Sequence, residues 1–308
     1  MINFHQADSL GAQSDDAIAQ YLSEIGDESA AKRFLGSAGA AQGMGRFYGA
    51  DQYAFTGVLI GFVPPGSHGD EIRIANAMTI LPEHELREKR IKITLDKFYV
   101  ESYPGNGTHR ILCEFAGKNQ IAGETEEMRF TMNVEARDRG SASVNGKPIF
   151  MGVTIGKDGI AFEGRTVNVR SDIDDLILDA LGNDTFKNGL SLISSVQPAL
   201  KPFVTLAASV VSATAKRSQN RQVYAFSLGL DFGTSATSAK LRRGSYIVVQ
   251  GDDAEWQWSN FSLKPDSLAL VTNEGKSAPF NYMVFGVSDF EGTPAESKEV
   301  KGGKKTPA

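Results

Sequence analysis

The chain has 308 residues, 41% of them hydrophobic, with 32 glycines and one cysteine, so it is long enough to bury a core without disulfides or a structural metal. Its 32 basic residues against 37 acidic ones leave a net charge of -5, so no positive field is available to hold a nucleic-acid backbone, and nucleic acid is excluded as the expected main partner. The same composition excludes collagen, a coiled coil and a membrane bundle.

The first residues, Met1-Ile2-Asn3-Phe4-His5-Gln6, show neither the cationic stretch nor the apolar run that directs export, and the expected location is cytoplasmic. A lone Cys113 forbids an internal disulfide and suits a reducing compartment; on an alternating strand it shares a face with Ile111 and Phe115, which predicts a buried structural thiol. The sequons at Asn106, Asn183 and Asn260 are assigned no glycan.

In chain order, residues 1–49 read as a helical segment. Ser14 caps a helix whose first turn carries Asp15 and Asp16, whose apolar positions Ala17, Ile18, Tyr21, Leu22 and Ile25 recur at helical spacing, and which Gly26 stops. A second helix is predicted over Glu28 to Leu35, followed by a glycine-rich connector, Gly36 to Gly45. From residue 52 the pattern becomes alternating, β-branched and aromatic. It predicts strands over Gln52–Val63, Ile91–Tyr103, Thr108–Gly117, Met128–Arg137, Ile149–Ile155 and Ile160–Val169, then Val223–Leu230, Ser245–Gln250, Leu268–Val271 and Phe280–Phe290. Pro104-Gly-Asn-Gly107 and Gly156-Lys-Asp-Gly159 read as two hairpin turns.

Between the strand groups, residues 171–217 carry three helical patterns. The last, 202–216, has a stripe of Phe203, Val204, Ala207, Val210 and Val211. At about 22 Å it is shorter than a bilayer's apolar layer of roughly 30 Å and is expected to pack on a sheet, with a membrane-perturbing role as the alternative. Residues 292–308 are polar and lysine-containing and read as a tail. The predicted fold is α+β, mainly β: a β-sandwich over 50–291 with the helical insertion 171–217. The long strand, Gly-Asn-Gly turn and returning strand of the middle segment resemble C2-like sandwiches at the level of fold, and the likeness assigns no function.

Few strings carry chemistry. Leu228-Gly-Leu-Asp-Phe-Gly-Thr-Ser235 resembles the first phosphate motif of the ATPases that include actin, heat-shock chaperones and sugar kinases. The resemblance implies a phosphate-wrapping turn, Asp231 to Ser235, with Asp231 holding a hydrated Mg²⁺ and Thr234 at the phosphate. The chain after Asp231 is too short for that family's domain and shows no second phosphate loop, so the expectation is a strand that ends in a polar turn. Gly43-Met-Gly45-Arg-Phe-Tyr-Gly49 misses both dinucleotide and P-loop spacings. His5, His68, His84 and His109 form no ligand pair, and on a strand His109 and Cys113 are about 13 Å apart. No nucleophile with a base, no aspartate-dense calcium loop and no cofactor motif is read. Trp256, Trp258 and Leu263, with Phe261 nearby, alternate with polar residues, the pattern either of a partner-binding patch of Trp256, Trp258 and Phe261 or of the inward face of an edge strand. The expected function is therefore a non-catalytic protein-interaction module, an adaptor or subunit binding another protein or itself, with a membrane effector and a phosphate-binding enzyme as alternatives.

Overall fold

The computed structural model describes residues 4–37, 51–121, 124–170, 190–191, 220–251 and 256–291. The connector from residue 38 on, nearly all of the helical block 171–217 including 202–216, and the tail 292–308 lie outside the described residues. What is described is mostly strand, in open antiparallel sheets, with two helices.

The helices are α1 (Asp15–Glu24) and α2 (Glu28–Ser37). Ser14 Oγ accepts from Ala17 N at 3.3 Å, the expected N-cap. Ile18, Tyr21 and Leu22 are buried, and Gly26, at φ +80°, ends the first helix. Asp27 then does two jobs. Its Oδ1 accepts from Ala30 N, capping α2, and its Oδ2 accepts from Gly105 N in the Pro104–Gly107 turn.

The strands, in chain order, are β1 (Val58–Val63), β2 (Ile72–Arg73), β3 (Ala75–Asn76), β4 (Arg90–Val100), β5 (Thr108–Ile121) and β6 (Glu124–Arg137). After them come β7 (Gly140–Ser141), β8 (Lys147–Thr154), β9 (Gly159–Val169), β10 (Leu190–Ser191) and β11 (Arg221–Asp231). The last are β12 (Ala239–Lys240), β13 (Gly244–Gln250), β14 (Phe261–Lys264), β15 (Ala269–Thr272) and β16 (Asn281–Asp289). They form an eight-stranded sheet in the order β10-β8-β4-β16-β13-β1-β3 with β7 on β4, a five-stranded sheet β12-β11-β9-β5-β6, and a three-stranded sheet β15-β14-β2.

Two expectations need correction. Neither glycine turn makes a hairpin. Pro104–Gly107 carries the chain from β4 in the eight-stranded sheet to β5 in the five-stranded one, and Gly156–Gly159 does the same from β8 to β9. Residues at positive φ reverse a chain equally well whether the next strand pairs with the last or lies across the core from it, and alternation alone does not choose. The tight pair is β5 with β6, in register from Thr108 opposite Arg137 to Ile121 opposite Glu124. Nor is Gln52 the start of a strand: Gln52–Ala54 is a single 3-10 turn, and the strand begins at Val58.

The inner faces of the two large sheets and the apolar face of α1 and α2 share one buried cluster. At its centre the Phe285 ring of β16 meets Phe115, Phe162 and Phe226 of the five-stranded sheet at centroid distances of 5.8, 5.3 and 5.6 Å. A second cluster lies on the other face of the eight-stranded sheet, where Leu59, Ile247, Val249 and Val284 are covered by β14, β15 and Trp258. Phe285→Ala is expected to cost about 3–5 kcal/mol, the figure for emptying an aromatic site in a packed core, with the urea midpoint falling and the slope unchanged. A loss under about 1 kcal/mol would mean that the two sheets do not depend on this contact.

Candidate functional site

The Asp231–Ser235 turn leaves β11 and returns seven residues later as β12, which runs parallel to β11 rather than forming a hairpin with it. Gly233 N donates to Asp231 Oδ1 at 3.0 Å, and the Ser235 and Thr237 hydroxyls bond each other at 2.8 Å. The centre of the loop is filled by Lys240. Its Nζ donates to Ser235 O at 2.6 Å, to Ser238 Oγ at 3.0 Å and to Asp231 Oδ1 at 3.3 Å, with only 5% of the side chain exposed. Burial would raise the Asp231 carboxyl, but hydrogen bonds from Ser238, Lys240 and the Gly233 amide, with the lysine charge, outweigh it and hold the group below its ordinary value. The loop is thus closed on an internal cation at the place where a phosphate motif would offer amides and a carboxylate to a ligand.

The three aromatic candidates sit in and around the second cluster. Trp258 is 9% exposed, with its indole lying over Gly61, where a Cβ would come within 2.7 Å of the ring. Trp256 and Phe261 are half-buried and stacked, centroids 4.4 Å apart, with Phe280 edge-on to both. The structure brings all three together, and Trp258 faces inward.

Other reactive groups are also internal. Cys113 is fully buried, which pushes its thiol well above the ordinary range. His109 is fully buried, with Nε2 2.8 Å from Asp138 Oδ1, an oxygen that also accepts from Tyr103 N. Among the described residues, no three metal-ligating side chains converge, and no helix is long and apolar enough to cross a membrane.

Among the described residues, a cleft of about 350 Å³ lined by Asp96, Lys97, Ser141, Asn145, Asp266 and Leu268 is of ligand size. A bulge makes it. The ladder between β4 and β16 slips between Val284 and Phe285, leaving Asp96 without a paired residue. The inward row of β4 therefore changes phase from Ile91, Ile93 and Leu95 to Phe98 and Val100, and both Asp96 and Lys97 are left facing out. Lys97 Nζ donates to Ser267 O at 2.8 Å, and Thr94 Oγ1 donates to Asp96 Oδ1 at 2.6 Å. Burial raises the Asp96 carboxyl, with the Thr94 bond and the Lys92 charge opposing, and burial lowers the Lys97 ammonium. Sequence reasoning passed over both residues, although the phase slip in Ile-Lys-Ile-Thr-Leu-Asp-Lys-Phe-Tyr-Val is visible in the alternation. A second cavity, of about 10 Å³ beside Tyr103, Thr166 and Tyr224, has room for a single water.

The five-stranded sheet ends, among the described residues, in a long edge strand. β6 is fourteen residues long and, among the described residues, pairs in its sheet with β5 alone. Met128, Phe130, Met132, Val134 and Ala136 are buried; on the alternate row Glu127, Asn133, Glu135 and Arg137 are exposed, while Arg129 and Thr131 are buried. On that outer face Glu114, fully buried, holds Arg165 (2.7 Å) and Arg129 (3.0 Å), one on each carboxylate oxygen. The N-terminal segment crosses nearby, with Phe4 under the Arg165 guanidinium and the Gln222 amide bonded to His5 O and Ser9 Oγ.

No family model, curated protein or solved structure matches this chain.

The two perturbed carboxylates carry opposite signs of pH dependence. Asp231 has a lowered folded pKa, so its contribution is present above the unfolded value near ~3.9 and fades as pH falls through the folded one. Asp231→Asn is expected to cost about 1 kcal/mol at neutral pH, a figure kept small because a third of that side chain is exposed and screened, and the gap to the parent is expected to close in acid. Asp96 has a raised folded pKa, so its ionisation weakens the fold as pH rises through that value. Asp96→Asn is expected to be neutral or stabilising at neutral pH and to lose any advantage in acid. Urea titrations from about pH 3 to pH 7 read both, and parallel pH profiles for the two variants would contradict these assignments.

Proposed function

We propose that this chain is a non-catalytic β-sandwich that works through protein contacts, as an adaptor or subunit of a cytoplasmic assembly. In this reading the two large sheets are the layers of the sandwich over 50–291, residues 171–217 are an insertion in which Leu190–Ser191 forms strand β10 where the sequence pattern predicts helix, residues 1–49 are a helical prefix and residues 292–308 a polar tail. What carries the reading is where the chain spends its ionisable groups. Asp231 is closed on Lys240, Glu114 on two arginines, and His109 on Asp138, while among the described residues a fourteen-residue strand pairs along one side only, with β5. Protein contact along a sheet edge draws affinity from main-chain hydrogen bonds and specificity from the alternate side chains. The half-exposed stack of Trp256 and Phe261 offers a second, smaller contact, to which Trp258 contributes only as support.

The competing reading, phosphate chemistry at Asp231 and Thr234, requires Lys240 to leave the loop. A thermal melt with ATP and Mg²⁺, or with inorganic phosphate, is expected to leave Tm unchanged. A saturable rise in Tm that Asp231→Asn abolishes would overturn the non-catalytic reading.

A further inference from the structure

The edge strand β6 carries an ordered run of charge. From residue 127 to 137 it reads Glu-Met-Arg-Phe-Thr-Met-Asn-Val-Glu-Ala-Arg. Read backwards against itself, with Met132 opposite Met132, this run places Glu127 opposite Arg137, Arg129 opposite Glu135 and Thr131 opposite Asn133. On the buried row the same alignment sets Phe130 against Val134. Within this run every charge meets its opposite and every apolar residue meets an apolar one; one step outside it Glu126 falls opposite Asp138, which lies just past the end of the strand. Residues opposite each other on antiparallel strands stand close enough for such pairs to stabilise the ladder, and for like charges to weaken it.

Charged residues on an edge ordinarily prevent strand addition. Here their order selects one register. Moving the centre one residue back, to Thr131, puts Glu127 opposite Glu135, twice by symmetry; moving it one residue forward, to Asn133, puts Arg129 opposite Arg137, again twice. The neighbouring registers are thus penalised and the register centred on Met132 is favoured.

The ion network behind the edge points the same way. Glu114, fully buried, is one carboxylate serving two guanidiniums, and Arg129 is 9% exposed. Arg129 meets Glu114 through Nε at 3.0 Å, and a guanidinium has five N–H donors in all. In the register above, Glu135 of a second copy brings a second carboxylate to Arg129.

We propose that the partner of the β6 edge is a second copy of this chain, added antiparallel about a two-fold axis at Met132 so that two five-stranded sheets run on as one sheet of ten. This rests on the reading of the chain as an interaction module and names its partner. A two-fold contact of this kind closes on itself and leaves no further β6 edge for growth.

Sedimentation equilibrium of the full chain over a range of concentrations tests it. The parent is expected to form a dimer. Glu127→Arg alone, or Arg137→Glu alone, sets like charges opposite each other twice and is expected to raise the dimer dissociation constant roughly tenfold or more, with Tm at low concentration marking any effect on the protomer itself. The double variant, Glu127→Arg with Arg137→Glu, restores opposite signs across the axis and is expected to recover the dimer. Glu127 also faces Lys118 on β5 within its own chain, a contact the double variant does not repair, so recovery reports the contact between copies. A parent that stays monomeric, a dimer indifferent to the single variants, or a double variant that fails to recover would each overturn the proposal. Those outcomes leave the non-catalytic reading standing, whereas a saturable nucleotide shift at Asp231 would remove that reading without touching the dimer.

Discussion

The fold depends on one ring. Phe285 stands on the inner face of the eight-stranded sheet and is met by three phenylalanines from the sheet opposite. Two open sheets gain stability where their apolar inner faces meet, and a single aromatic contacting three others concentrates that gain at the point where both layers are held in position. Gly164 shows how tight the packing is: a Cβ there would come within 2.6 Å of the Phe226 ring edge. The chain reaches this arrangement by crossing from sheet to sheet at the Pro104–Gly107 and Gly156–Gly159 corners, so strands that are neighbours in sequence end on opposite sides of the core.

A corner of that kind exposes polar backbone and has to be tied down. Asn168 donates to Pro104 O and to the Tyr21 hydroxyl, Arg170 donates to Ile25 O, and Asp27 accepts from Gly105 N while capping α2. Helix, corner and β9 are joined by side chains that each serve two elements. The helical prefix is therefore built into the main core through Ile18, Tyr21 and Leu22 and bolted to the corner by hydrogen bonds. Gly105, at φ +99° with Arg170 packed where a Cβ would stand, fits that joint as no larger residue does.

Much of the local structure was legible in the sequence, because it is set by nearest neighbours. Ser14, the two aspartates and Gly26 define α1 to the residue, and alternation places β5, β9 and β13 within a few residues of their observed ends. What alternation cannot carry is the partner. It reports that a face is buried, not which strand lies beside it, so two sheet-crossing corners read as hairpins. The two-residue strands β2, β3, β7, β10 and β12 are too short to show any period. The Asp231 turn was read from its own residues, whereas the group that decides its chemistry, Lys240, arrives nine positions later by a parallel pairing that no local pattern announces. The bulge at Asp96 is the one omission whose signal was on the page, as a change of phase in the apolar row of β4.

The buried carboxylate on the outer face of the five-stranded sheet has a further physical meaning. Removing an ion network from water is costly, and an apolar trio of similar volume would hold Glu114, Arg129 and Arg165 positions together at least as well. Stability alone does not account for such a group. What the carboxylate does that an apolar residue does not is fix the direction of two guanidiniums, one toward the N-terminal segment through Phe4 and one beside the sheet edge. Orientation of charge at an edge matters because main-chain hydrogen bonding there is indifferent to sequence: any extended strand can add to it, and only side chains discriminate. A strand whose apolar row is committed to the core has just its outer row left for that task. In β6 that row reads Glu127, Arg129, Thr131, Asn133, Glu135 and Arg137, an acidic–basic pair at each end of two neutral residues, and its buried arginine, Arg129, is the one that Glu114 holds in place.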